Sequence, residues 1–223
     1  MSRHVAVIRH SVTRGKIFAL LSGGVILGLG ATATLASWND EEWVNGGISG
    51  TTSGVSTSSF NVEQNRGTGW GDFATSPGGN LTFTAPTSGL TPGDAAYTQV
   101  SLRTSSGSVA GELELSAGTS APTPAFAATS IPLWDALELR VVVTTGAAGT
   151  CDAGAFTSTA DYVVGDFAAG VGMDQPGSLT RSLDAGSANQ QNYCFQLLLP
   201  SGSSPSLMGL GVSPMWEFVA TSV

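Results

Sequence analysis

The chain is 223 residues long, with eight Lys and Arg, sixteen Asp and Glu and a formal charge of −8 at pH 7. Nucleic acid and anionic lipid are excluded as partners, because both require a basic footprint that this balance does not supply. Glycine accounts for 30 residues, about twice the usual ~7%, and Leu, Glu, Lys and Arg do not recur at helical spacing, so strands and turns must dominate.

The first sixteen residues carry Arg3, Arg9, Arg14 and Lys16 and no acid, and Ile17 to Gly30 are apolar. Ala31 to Ala36 then offers small residues to a signal peptidase. This order predicts a signal peptide over 1–36, cut between Ala36 and Ser37, with Ala33 as the second site. The rival is a membrane anchor, since the twenty residues from Ile17 to Ala36 could just span a bilayer. Glycines at 23, 24, 28 and 30 interrupt that segment, and Thr34 with Ala36 meets the small-x-small rule, which favours cleavage and a secreted product.

Trimming changes the chemistry. Beyond Ala36, sixteen acids face only Arg66, Arg103, Arg140 and Arg181, which leaves a side-chain charge of −12. His4, His10 and Lys16 all fall in the leader. The remaining chain therefore lacks a Ser-His-Asp or Cys-His dyad, an HExxH zinc site and a lysine nucleophile. No catalytic residue, cofactor or metal is assigned, and any assembly is expected to be noncovalent because no lysine remains to form an isopeptide bond.

Residues 37–58 read as a flexible N-terminal segment, glycine- and serine-rich from Gly46 onward, ahead of a β-sandwich domain over 59–223. Trp38 and Trp43 flank Asp40, Glu41 and Glu42 close to the new N-terminus, where a monomer has little to bury an indole against. These five residues are candidate interface anchors. The three consecutive carboxylates could attract a cation, but they cannot all face one ion in an extended chain.

Short apolar or alternating runs bounded by Gly, Pro, Ser and Asn predict strands at Ser59–Val62, Leu81–Thr84, Tyr97–Thr104, Gly111–Ser116, Leu137–Thr145, Ala160–Val164, Leu179–Leu183, Tyr193–Leu199 and Met215–Thr221. Thr91-Pro92-Gly93-Asp94 predicts a turn, with Pro fixing φ at its second position and Gly tolerating positive φ at its third. Glu112-Leu113-Glu114-Leu115 should put both leucines on one face and both carboxylates in solvent; a paired-carboxylate glycosidase is the weaker reading, since this spacing is simply the strand period. Pro122, Pro124 and Pro132 mark Ala117–Leu133 as a loop. Val141-Val142-Val143 and Leu197-Leu198-Leu199 lack alternation, so their strands should be central and covered on both faces. Cys151 and Cys194 are an even pair in an exported chain and read as a disulfide, the alternative being two buried thiols. Trp70, Trp134 and Trp216 read as core or sheet-edge residues.

Several of these segments, in order along most of the chain, resemble one family: exported proteins with SipW-dependent-type signal peptides, the group of TasA and camelysin, and within it the actinobacterial alternate-signal branch. The resemblance lies in Gly30 to Glu42 at the cleavage zone, Phe60-Asn61-Val62, Leu81-Thr82-Phe83, Leu90 to Asp94, Tyr193-Cys194-Phe195 and Trp216-Glu217-Phe218. It implies a jelly-roll-like antiparallel β-sandwich, a dedicated signal peptidase as processing partner, and self-assembly into extracellular fibres of the cell surface or biofilm matrix, alone or with other matrix proteins. In such fibres the freed N-terminal segment, here Ser37 to about Ser49, resembles a donor strand added to the next subunit's sheet. The metalloprotease activity ascribed to camelysin does not carry over, because no histidine follows the leader. A different class of function, a monomeric surface adhesin binding through Ala117–Leu133 and Gly165–Gly177, is the alternative.

Overall fold

The computed structural model describes residues 57–86, 89–120 and 131–223, all within one compact unit, Thr57–Val223. The signal peptide, the cleavage positions Ala36 and Ser37, and the anchors Trp38, Asp40, Glu41, Glu42 and Trp43 lie outside the described residues. In chain order the first elements are β1 (Val62–Asn65), β2 (Trp70–Gly71), β3 (Ala95–Thr104), β4 (Gly111–Leu115), β5 (Thr119–Ser120), a short helix α1 (Ile131–Ala136) and β6 (Glu138–Thr145). They are followed by β7 (Asp161–Val164), β8 (Val171–Gly172), β9 (Arg181–Leu183), β10 (Gln191–Leu198), β11 (Pro214–Met215) and β12 (Phe218–Ser222).

These strands form an antiparallel β-sandwich, as the alternation predicts. The larger sheet runs β2-β1-β3-β10-β6-β7, with β8 also pairing β6; the smaller runs β12-β4-β9, and β5 pairs β11 separately. Its spine is β10, which pairs over eight residues with β3 on one side and β6 on the other. Tyr193, Phe195 and Leu197 face inward from it, joining Val100, Leu139, Val141 and Val143. Leu113, Leu115 and Leu183 of the smaller sheet belong to the same core, with Phe218 and Ala220 packed against it. Phe195 is the hub, its ring 4.8 Å from Trp216 and 6.4 Å from Phe218.

The runs without alternation do lie in central strands. Val142 faces outward yet is buried, because Phe156 and Cys194 cover it. Asn192, also on that outer face, is 2% exposed and fully bonded: its Nδ2 donates to the Thr144 and Gly146 carbonyls at 2.9 Å, and its Oδ1 accepts from Ser101 Oγ at 2.6 Å and Gln190 Nε2 at 2.8 Å. A buried side-chain amide is tolerated when its bonding capacity is met this way.

Several boundaries differ from the sequence reading: β3 starts at Ala95 rather than Tyr97, β9 at Arg181 rather than Leu179 and β10 at Gln191 rather than Tyr193. Leu81–Thr84 is not a strand: only the bridge Thr84↔Tyr97 forms, although Leu81 and Phe83 do pack on the core. Met215–Thr221 splits into β11 and β12, with Trp216 between them packed on the core. The first strand begins at Val62 rather than Ser59, which makes only a bridge to Ser108. The expected loop Ala117–Leu133 contains β5 and the start of α1, where Pro132 occupies the first turn and its missing N–H costs nothing; its residues 121–130 lie outside the described set.

Candidate functional site

Among the described residues, two edges of the sandwich lack a partner on the same side of the molecule. β12 ends the smaller sheet. In the larger sheet, β2 covers only Gln64 and Asn65 of β1, and no other described strand pairs with Val62 and Glu63 on that edge. Residues of both edges line a cleft of about 960 Å3. Phe60 and Val62 contribute from the β1 side, Phe218 and Ala220 from β12, and Leu81, Phe83 and Trp216 complete an apolar wall. Val100 and Leu102, which also line it, are core residues exposed by 1% and 4%, so the cleft opens directly onto the interior. A polar rim holds Asn61, whose Nδ2 donates to Asp72 Oδ2 at 2.8 Å.

The pairing of β12 with β4 fixes which backbone groups point toward the open side. Glu217 accepts from the Ser116 N–H at 2.9 Å and the Val223 N–H donates to Ala110 at 3.2 Å. In an antiparallel pair the bonded residues alternate, so the odd-numbered residues turn their N–H and C=O toward β4. Phe218, Ala220 and Ser222 then present theirs to the open edge, where no strand pairs with them among the described residues. Phe218 and Ala220 also send their side chains toward the core. An extended chain laid along this edge would gain backbone hydrogen bonds and place alternate side chains in the cleft.

The four arginines among the described residues all make contacts within the fold. Arg103 donates to Glu63 Oε2 at 3.1 and 3.2 Å and stacks 3.9 Å from the centre of the Trp70 ring. Arg66 donates to the Asn80 carbonyl at 2.7 Å and lies over Phe73. Arg140 donates to the Phe167 carbonyl at 3.2 Å, and Arg181 bridges from β9 to Asp161 of β7 at 2.6 Å. Beside that last pair sits Tyr193, whose phenol is pushed up to about 12 by burial, with Arg181 pulling it down and Asp161 raising it further.

Cys151 and Cys194 form a disulfide with Cα atoms 5.4 Å apart. Glu112 and Glu114 are exposed while Leu113 and Leu115 are buried, which is the solvated-face arrangement. The Thr91–Asp94 turn forms, with Gly93 at φ +99°; Asp94 accepts from Thr91 Oγ1 at 2.6 Å and Thr91 N–H at 2.8 Å, bonds that hold its carboxyl below the ordinary value. Gly165–Gly177 contains β8 and a turn in which Asp166 Oδ1 accepts from the Ala168 and Ala169 N–H groups at 2.7 and 2.8 Å. Among the described residues no group of three His, Cys, Asp or Glu could hold a metal ion, and no helix is long and apolar enough to cross a membrane. Sequence reasoning missed the cleft. The alternations Phe60-x-Val62 and Phe218-x-Ala220 mark its walls, but nothing in them says that the two meet. No family model, curated protein or solved structure matches this chain.

Proposed function

We propose that this protein is a secreted structural subunit of a cell-surface or biofilm-matrix fibre, assembling noncovalently by lodging the freed N-terminal segment of one copy along β12 of the next. The observation that carries this reading is the coincidence of a strand edge left open by the described residues with a cleft of about 960 Å3 whose apolar wall leads to the core. A long unpaired edge beside apolar surface is a liability in a monomer and a docking strip in a polymer. The signal-peptide pattern, the absence of His and Lys after the leader, and the resemblance to the TasA and camelysin group support the same reading. Trp38 and Trp43 are the apolar side chains nearest the expected new N-terminus and would be the anchors in the cleft.

The test compares protein beginning at Ser37 with protein lacking residues 37–49, using light scattering and electron microscopy over a range of concentrations and pH. Filaments from the first and monomers from the second are the expected outcome. A Ser37-starting protein that stays monomeric throughout, or filaments that persist after the deletion, would overturn the proposal.

A further inference from the structure

A second structural device lies on the opposite side of the larger sheet. Residues 146–160, joining β6 to β7, cross its outer face as a strap. At its start, the Gly146 N–H donates to the Gln190 carbonyl at 3.1 Å. Beyond Gly146 the backbone bonds of the strap are internal, from Ala155 to Asp152, Phe156 to Ala153 and Ala160 to Thr157. Cys151 Sγ lies 3.0 Å from the Thr98 carbonyl, but a disulfide sulfur has no proton to donate. What fastens the strap is therefore the bond to Cys194 and the packing of Phe156 on Val142, with Tyr97 and Tyr162 at 6.0 and 6.3 Å. That packing is partial, since a hollow of about 280 Å3, half open to solvent, lies beside the strap, lined by Gln99, Val142, Asn192 and Ala155 among others. The sheet itself does not depend on the strap: Cys194 sits in β10, held by eight register pairs on each side, and the strap's apolar cluster is separate from the main core.

We infer that the Cys151–Cys194 disulfide is a redox latch, whose reduction by a dithiol frees residues 147–160 from the outer face while the sandwich stays folded. One thiolate of the dithiol attacks Sγ of half-buried Cys151, displacing the Cys194 thiolate, which takes a proton from water. The second thiolate of the reagent then attacks the mixed disulfide and releases Cys151, which is protonated in turn. The protein disulfide gains two electrons and two protons, and the dithiol becomes its cyclic disulfide. This inference is independent of the fibre reading. It makes the covered outer face a property of the oxidised protein only.

Hydrogen exchange followed by mass spectrometry, on the folded protein with and without excess dithiothreitol, tests it. Exchange at the strap's hydrogen-bonded amides, Gly154, Ala155, Phe156 and Ala160, should rise about tenfold or more on reduction, with β6 and β10 changing by less than about twofold. Unchanged exchange in the strap would overturn the latch, because Phe156 alone would then be enough to hold it. Protection lost throughout would also overturn it, making the bond a staple of the whole fold. In oxidised protein, Phe156→Ala should change strap exchange by less than about threefold, and a larger rise would show that packing rather than the bond holds the strap. A Cys151→Ser, Cys194→Ala protein should behave as the reduced form. Should that pair of changes prevent folding, the dithiothreitol experiment on prefolded protein decides.

Discussion

Among the described residues, Tyr193 is one whose acid–base chemistry its surroundings alter strongly. It is 1% exposed, its hydroxyl has no partner among the described residues, and its phenol titrates near 12 rather than 10. Between those values the unfolded chain has released a proton that the folded chain still holds, so stability falls as pH rises through the window, by about 3 kcal/mol in total. Urea unfolding at pH 9 and at pH 12 should show that loss, and Tyr193→Phe should remove it. Gly118 is a second sensitive point. A β-carbon there would run into the Met173 carbonyl and the Trp216 indole, so Gly118→Ala should destabilise by about 1–3 kcal/mol, read from its denaturation midpoint. The disulfide was legible because Cys151 and Cys194 are the only cysteines. The burial of Asn192 and Gln191 was not, since their cost is cancelled by partners distant in sequence such as Ser101 and Ser182.

Among the elements, β4 was the easiest to read: leucine and glutamate alternate in it because one face is core and the other is water. The start of β10 was hidden by its own chemistry, since Gln191 and Asn192 are polar residues in buried positions that a hydrophobicity pattern skips. Leu81 and Phe83 point at the core from a segment that forms a single bridge, so alternation there reports a buried face without a ladder. Strand order is written in no local pattern, and the open edge of β12 follows from order alone. The alternation of its bonds gives a selective probe. Ala220→Pro removes an N–H that faces outward and spares those that bond β4, a substitution edge strands tolerate. It should leave the melting temperature within a few degrees, by calorimetry, while abolishing the proposed filaments in scattering and microscopy.

For the whole molecule, charge is the quantity that composition already supplied: −8 for the full chain, and −12 for the product of the proposed cleavage after Ala36, which keeps sixteen acids and four arginines. Only the structure adds that two of the four arginines, Arg103 and Arg181, pair with carboxylates, Glu63 and Asp161, while Arg66 and Arg140 donate to the Asn80 and Phe167 carbonyls. A net negative charge of this size makes copies repel one another. Lowering the pH to about 4, or adding salt to about 0.5 M, should shorten the lag before association, followed by light scattering, by protonating or screening the carboxylates; a lag that does not respond would mean that charge does not govern assembly. The strap carries a practical consequence of its own. Residues 147–149 are exposed and precede the cysteine that ties the strap down, so a foreign epitope spliced between Ala147 and Ala148 would sit on a tether fastened at both ends. If many copies join end to end, such a graft would be displayed once per copy, away from the surface through which they join.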